Sequence, residues 1–117
     1  AINALGKVYP DIAKKFSSWS YRVPTPIVSV ALLNVNVNAE IKDTNNLTES
    51  LLSIKGVQAG GENRVSSDYI GLEASCAIDI DSLLFTKNSL FISLYYDNEL
   101  GYVSQIINYI LNSTRDI

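Results

Sequence analysis

One cation in this chain stands where a charge is expensive. Arg22 lies between Tyr21 and Val23, and Pro24-Thr25-Pro26 follows before the apolar run Ile27-Val28-Ser29-Val30. A charge among apolar residues needs a partner, and the planar fork of a guanidinium suits a phosphate or a carboxylate. Two readings stand: a structural ion pair to Asp or Glu, and a site for an anionic ligand. A second segment, Tyr95-Tyr96-Asp97-Asn98-Glu99-Leu100-Gly101-Tyr102, falls where a strand gives way to a helix. Such a junction presents backbone N–H groups at a helix N-terminus. The Asn98 amide offers both a donor and an acceptor, and Tyr95, Tyr96 and Tyr102 frame it. A well-capped helix with packed aromatics has the same pattern. Cys76 alternates with Ile78 and Ile80 on an apolar strand face, the setting of a structural thiol rather than a nucleophile. There is no histidine, which removes the commonest general base and metal ligand, and no metal site is expected.

The bulk properties narrow the function classes. A length of 117 residues gives one domain with a moderate core. Hydrophobic residues at 47% and charged residues at 18% are those of a globular chain. A net charge of -3 argues against nucleic-acid or membrane partners. One cysteine allows no internal disulfide and fits a cytoplasmic location. No apolar run is long enough to span a bilayer and no signal peptide is visible. The sequons at Asn46 and Asn112 are short patterns that arise by chance and carry no weight.

The elements that must position these residues follow from periodicity. Ala1, Ala4, Leu5, Val8, Tyr9 and Ile12 fall at helical spacing, with Pro10 marking the fraying end of that helix. No capping residue precedes it, so a longer parent chain is expected. A strand is expected over Trp19 to Val23, then a turn at Pro24-Thr25-Pro26, then a long strand from Val28 to Val37. The long strand changes phase at Leu32-Leu33, which calls for a bulge or for two halves covered by different partners. Lys42 to Asn46 is a polar connection, Leu47 to Ile54 a helix ending near Gly56, and Gly60 to Asn63 a loop. Strands are expected at Arg64 to Tyr69, Cys76 to Ile80 and Ser89 to Tyr95. A helix from Glu99 closes the chain, with Asp97 or Asn98 as its cap and Val103, Ile106, Ile107, Ile110 and Leu111 as its apolar stripe. Successive strands without crossover helices predict the α+β class, a mixed and largely antiparallel sheet with helices on one face.

Three segments in order, Arg22-Val23-Pro24-Thr25-Pro26, Val65-Ser66-Ser67-Asp68 and Tyr96-Asp97-Asn98-Glu99-Leu100-Gly101-Tyr102, resemble the phosphorylating glyceraldehyde-3-phosphate dehydrogenases. Ala4-Leu5-Gly6-Lys7-Val8 with Pro10 is similar to that family's helix just before them. The resemblance runs over nearly the whole chain and corresponds to the later part of the family's catalytic domain. It implies that the NAD-binding Rossmann domain and the nucleophilic cysteine and histidine lie upstream, so no catalytic residue falls in this chain and the piece alone is expected to be inactive. It implies glycolytic chemistry: a thiolate attacks the aldehyde of a small aldehyde phosphate, hydride leaves to NAD, and inorganic phosphate attacks the resulting thioester to give an acyl phosphate.

By the same resemblance Arg22 binds phosphate, Asn98 hydrogen-bonds the nicotinamide carboxamide, and Tyr96, Glu99 and Tyr102 belong to the active-site shell. A cytoplasmic homo-tetramer is implied for the parent, with no nucleic acid or membrane as partner. The sequence departs from the family at three places: Ile27 stands for asparagine, Leu32 for aspartate and Gln105 for arginine. The connection from the long strand to Ser66 is also shorter by about one helical turn. Alternatives are an erythrose-4-phosphate dehydrogenase and a non-catalytic assembly or binding domain that keeps the scaffold. Thr25-Pro26 and Tyr96-Asp97 lean toward the glycolytic enzyme.

Overall fold

Two nine-residue strands rich in β-branched and apolar residues, whose side chains point alternately to opposite faces, build the centre of the fold. The computed structural model describes residues 2–114. In chain order the elements are α1 (Ile2–Val8), α2 (Pro10–Ala13), β1 (Val28–Asn36), α3 (Thr44–Leu52), β2 (Val57–Gly60), β3 (Cys76–Asp79), β4 (Leu84–Phe85), β5 (Ser89–Asp97) and α4 (Leu100–Ser113). Short 3-10 turns lie at Ser66–Tyr69 and Ile80–Ser82. The sheet order is β1-β5-β3-β2, with β4 beside β5. Only the β2–β3 pair is parallel, so the sheet is mixed and largely antiparallel, and the fold is α+β as expected.

The β1–β5 register gives the sheet two different faces. Val28, Val30 and Leu32 stand opposite Asp97, Tyr95 and Ser93 on one face, and Ala31, Leu33 and Val35 opposite Leu94, Ile92 and Leu90 on the other. The second face is the main core. Ile78, Leu90 and Ile92 are buried there against Leu33, Phe85 and the α3 residues Leu47, Leu51 and Leu52. Burying each of these three contributes roughly 1.5–3 kcal/mol. The first face is covered at one end only. There Val28, Tyr69 and Ala77 form a smaller cluster, and the Tyr69 ring stacks on Tyr95 with centroids 4.5 Å apart. Beyond it Val30, Leu32, Leu84 and Phe91 are open to solvent, Leu32 most of all at 78%.

The phase change at Leu32 is therefore not a bulge. Pairing runs residue by residue from Val28↔Asp97 to Asn36↔Ser89, and the two halves of β1 bury opposite faces. Other expectations need correction. Pro10 opens α2 rather than ending a helix, as suits a residue with no N–H to donate. Ala1, the first residue of that expected helix, lies outside the described residues. No strand forms over Trp19 to Val23, and Trp19 and Tyr21 are exposed. A strand needs a ladder partner, and Pro24 and Pro26 remove two of the donors that would extend it.

The segment Arg64 to Tyr69 turns instead of extending, because the Asp68 carboxylate accepts the Val65 N–H at 2.8 Å and the Val65 carbonyl accepts the Asp68 N–H. Gly60 ends a strand, β2, instead of opening the loop, and Ile80 starts a turn instead of closing β3. α3 begins earlier than expected because Asp43 caps it, its carboxylate accepting the Asn46 N–H at 2.9 Å. α3 ends at Leu52, and Gly56, with φ +85°, is the third residue of a separate turn in which the Val57 N–H donates to the Ile54 carbonyl at 3.0 Å.

Candidate functional site

The end of β5 carries the third motif and touches residues that follow the other two. Both hydrogens of the Asn98 amide are committed: Nδ2 donates to the Ile27 carbonyl at 3.1 Å and to Ser29 Oγ at 2.7 Å. Asn98 therefore ties the strand-to-helix junction to the exit of the Arg22-to-Pro26 segment, and its Oδ1 is left as an acceptor. Ser29 is placed for this by its pairing with Tyr96 in the β1–β5 ladder.

Asp97, which the sequence marked only as a possible cap, is the one buried charged side chain among the described residues. Its Oδ1 accepts the N–H groups of Leu100 at 2.9 Å and Glu99 at 3.0 Å, and its Oδ2 accepts that of Gly71 at 3.0 Å. The Leu100 N–H, then those of Gly71 and Glu99, hold the carboxyl below the ordinary aspartate range, against a burial effect that pushes it up. The signal that points to Asp97 in the sequence is an Asp in the last position of an apolar strand just before a helical stripe. The Gly71 contact could not be anticipated, because it comes from a turn 26 residues away.

An open cavity of about 320 Å³ lies at this junction, walled by Tyr96, Asn98, Tyr102, Ser75 and Gln105. Its floor depends on Gly101, where a Cβ would come within 2.8 Å of the Ala74 carbonyl oxygen. Gln105 reaches the same loop, donating from Nε2 to the Glu73 carbonyl at 3.2 Å. Tyr96 and Tyr102 are thus brought together with Asn98, Tyr102 largely exposed and Tyr96 half-buried. Glu99 is exposed and joins the site through its backbone N–H to Asp97.

Arg22 is placed differently. It lies on the irregular stretch 16–25, is exposed, and has no ion-pair partner among the described residues, where Lys14 and Asp11 form the one salt bridge. Nothing in the structure joins its side chain directly to Asn98. Cys76 is half-buried on β3, and burial pushes its thiol up, which keeps it protonated. Among the described residues no cluster of His, Cys, Asp and Glu fits a metal ion. No described helix is long and apolar enough to cross a membrane.

Comparison with known proteins gives a consistent answer. The family profile "Glyceraldehyde 3-phosphate dehydrogenase, C-terminal domain" matches residues 1–98. The cytosolic glyceraldehyde-3-phosphate dehydrogenase of Chondrus crispus is 36% identical over an alignment that covers 98% of this chain and 36% of the relative. That of Gracilaria gracilis is 37% identical with the same coverage, and that of Ginkgo biloba is 34% identical over 100% of this chain and 36% of the relative. The chain thus spans about a third of the length of the relatives it matches. With a profile match over most of its residues and relatives aligned along nearly all of it, this chain belongs to the glyceraldehyde-3-phosphate dehydrogenase family and corresponds to its C-terminal domain.

Proposed function

We propose that the chain is one domain, the later part of the catalytic domain of a phosphorylating glyceraldehyde-3-phosphate dehydrogenase. The parent oxidises a small aldehyde phosphate to an acyl phosphate with NAD and inorganic phosphate. The observation that carries this reading is the tie from Asn98 to Ile27 and Ser29, which joins the third motif to the residues just after the first. With both N–H groups spent, Asn98 presents an acceptor beside a cavity walled by Tyr96 and Tyr102. That chemistry fits the NH2 donors of a nicotinamide carboxamide and the face of its ring.

NAD, when bound, supplies the hydride acceptor. Asn98 orients the carboxamide, and the two tyrosines line the space around the ring. Arg22, exposed and without an ion-pair partner among the described residues, is available for phosphate, which favours the anion-site reading over the structural one. Cys76 is held protonated and the chain has no histidine, so the nucleophile and base come from elsewhere in the parent. The relatives named cytosolic support a cytoplasmic location.

In the intact protein, Arg22→Leu is expected to lower phosphate-dependent turnover at least tenfold with NAD affinity nearly unchanged, and Asn98→Ala to do the reverse. Steady-state kinetics with NAD and each of glyceraldehyde 3-phosphate and erythrose 4-phosphate test this and also separate the two dehydrogenases. Unchanged kinetics in both variants would remove the site assignment. No turnover by the unmodified protein with either substrate would favour a scaffold without chemistry. The open face carrying Val30, Leu32, Leu84 and Phe91 fits a second copy of the parent in a homo-tetramer, with Leu32 making an apolar contact where the family uses aspartate. Sedimentation of the intact protein as a monomer would refute that assembly.

A further inference from the structure

We infer that Asp97 is a positioning residue for the cofactor side of this site and acts through Asn98. This rests on the proposed role of Asn98 toward the nicotinamide. A buried carboxylate is retained only where its lone pairs are met, and Asp97 meets N–H groups from two separate pieces of chain. Its Oδ1 binds the N–H groups of Glu99 and Leu100, the two residues that follow Asn98, and so sets the backbone from which the Asn98 side chain projects. Its Oδ2 binds Gly71, which follows the Ser66–Tyr69 turn of the second motif. The neighbouring side chain, Asn98, binds Ile27 and Ser29 next to the first motif. Two adjacent residues therefore anchor the exits of the other two motifs to the start of α4. Asn98 itself is exposed, so nothing packs its side chain into place from outside. Its orientation depends on its two hydrogen bonds and on the backbone that Asp97 holds.

The test is a double-mutant cycle on NAD binding by calorimetry in the intact protein, together with the crystal structure of the Asp97 variant without cofactor. Asp97→Ala is expected to raise the dissociation constant for NAD about tenfold, the upper scale for losing one well-placed hydrogen bond to a ligand. Asp97→Ala combined with Asn98→Ala is expected to bind within about twofold of Asn98→Ala alone, because the two residues act as one unit. In the crystal structure, the Asn98 amide nitrogen should leave the Ile27 carbonyl and Ser29 Oγ. If Asp97→Ala does not fold, Asp97→Glu supports the same cycle and the same structure, since it keeps the charge and displaces the carboxylate by one methylene. Multiplicative losses in the cycle, or an unchanged affinity in the Asp97 variant, overturn the inference. If Asn98→Ala alone leaves NAD affinity unchanged, the cofactor role proposed for Asn98 fails, and the structure decides for Asp97. Both Asn98 hydrogen bonds persisting without the Asp97 carboxylate would then overturn the positioning role, and their loss would sustain it.

Discussion

The two halves of the candidate site are held by opposite means. Asn98 is fixed by two hydrogen bonds of its own, by a buried carboxylate one residue before it, and by a helix start that touches the 72–74 loop at Gly101. Arg22 sits on a stretch with no regular structure, beside two prolines, and gains its first tie to the sheet only at Ile27. The contrast matches the ligand proposed for each half. A group that orients a planar ring must be in place before the ring arrives, since its contribution lies in direction. A guanidinium that grips phosphate works through charge and a multidentate fork, and the anion can order the side chain as it binds.

The largest effect that sharpens this contrast is expected at Gly101. A Cβ there lies 2.8 Å from the Ala74 carbonyl oxygen and 3.6 Å from that of Leu72, both backbone atoms that cannot swing aside. Gly101→Val should destabilise the intact protein by about 1–3 kcal/mol, read as a lower urea midpoint, and should weaken NAD binding as the junction shifts. An unchanged midpoint would mean that α4 and the 72–74 loop are not locked together, and the contrast would lose one side.

Asp97 comes next, and its signature is a pH dependence. Its carboxyl titrates below the ordinary value of 3.8 when folded, so its contribution is fully present above that value and fades as pH falls through the lower folded one. The stability gap between the unmodified protein and Asp97→Asn should therefore be constant between pH 7 and about pH 5 and shrink below about pH 4. Urea midpoints at pH 7 and pH 3 check this. A gap that widens in acid would place the carboxyl above its ordinary range and contradict the three N–H contacts.

How much of this could be read in the sequence depends on the range of the interaction. β5 and α4 were legible from their period and β1 from its length and its β-branched and apolar content, despite the phase change at Leu32-Leu33. β2 was not, because Val57-Gln58-Ala59-Gly60 is four residues, too short for its alternation to stand out, and only its parallel neighbour β3 makes it a strand. Trp19 to Val23 misled in the other direction: its aromatics favour a strand, but no edge receives it. At Arg64 to Tyr69 two local bonds between Val65 and Asp68 outweighed the strand-forming Val65 and Tyr69. In the site, the junction around Asn98 was legible as a motif. The acceptors of its amide hydrogens were not, because Ile27 and Ser29 lie 71 and 69 residues away in the chain.

The smallest stability effect is expected at Arg22, and it bears most directly on the looser half of the site. An exposed side chain without an ion-pair partner can be replaced at little cost, so Arg22→Leu should shift the stability of the intact protein by no more than about 0.5 kcal/mol. The informative measurement adds inorganic phosphate. A ligand that binds only the folded state stabilises by RT ln(1 + [L]/Kd), about 1.4 kcal/mol at ten times Kd. The unmodified protein should therefore melt higher with phosphate, and Arg22→Leu should lose most of that rise while matching the unmodified protein without phosphate. A variant that melts much lower even without phosphate would mean that Arg22 is paired with a carboxylate in the intact protein. The structural ion pair would then be the correct reading, and both halves of the site would be fixed in advance.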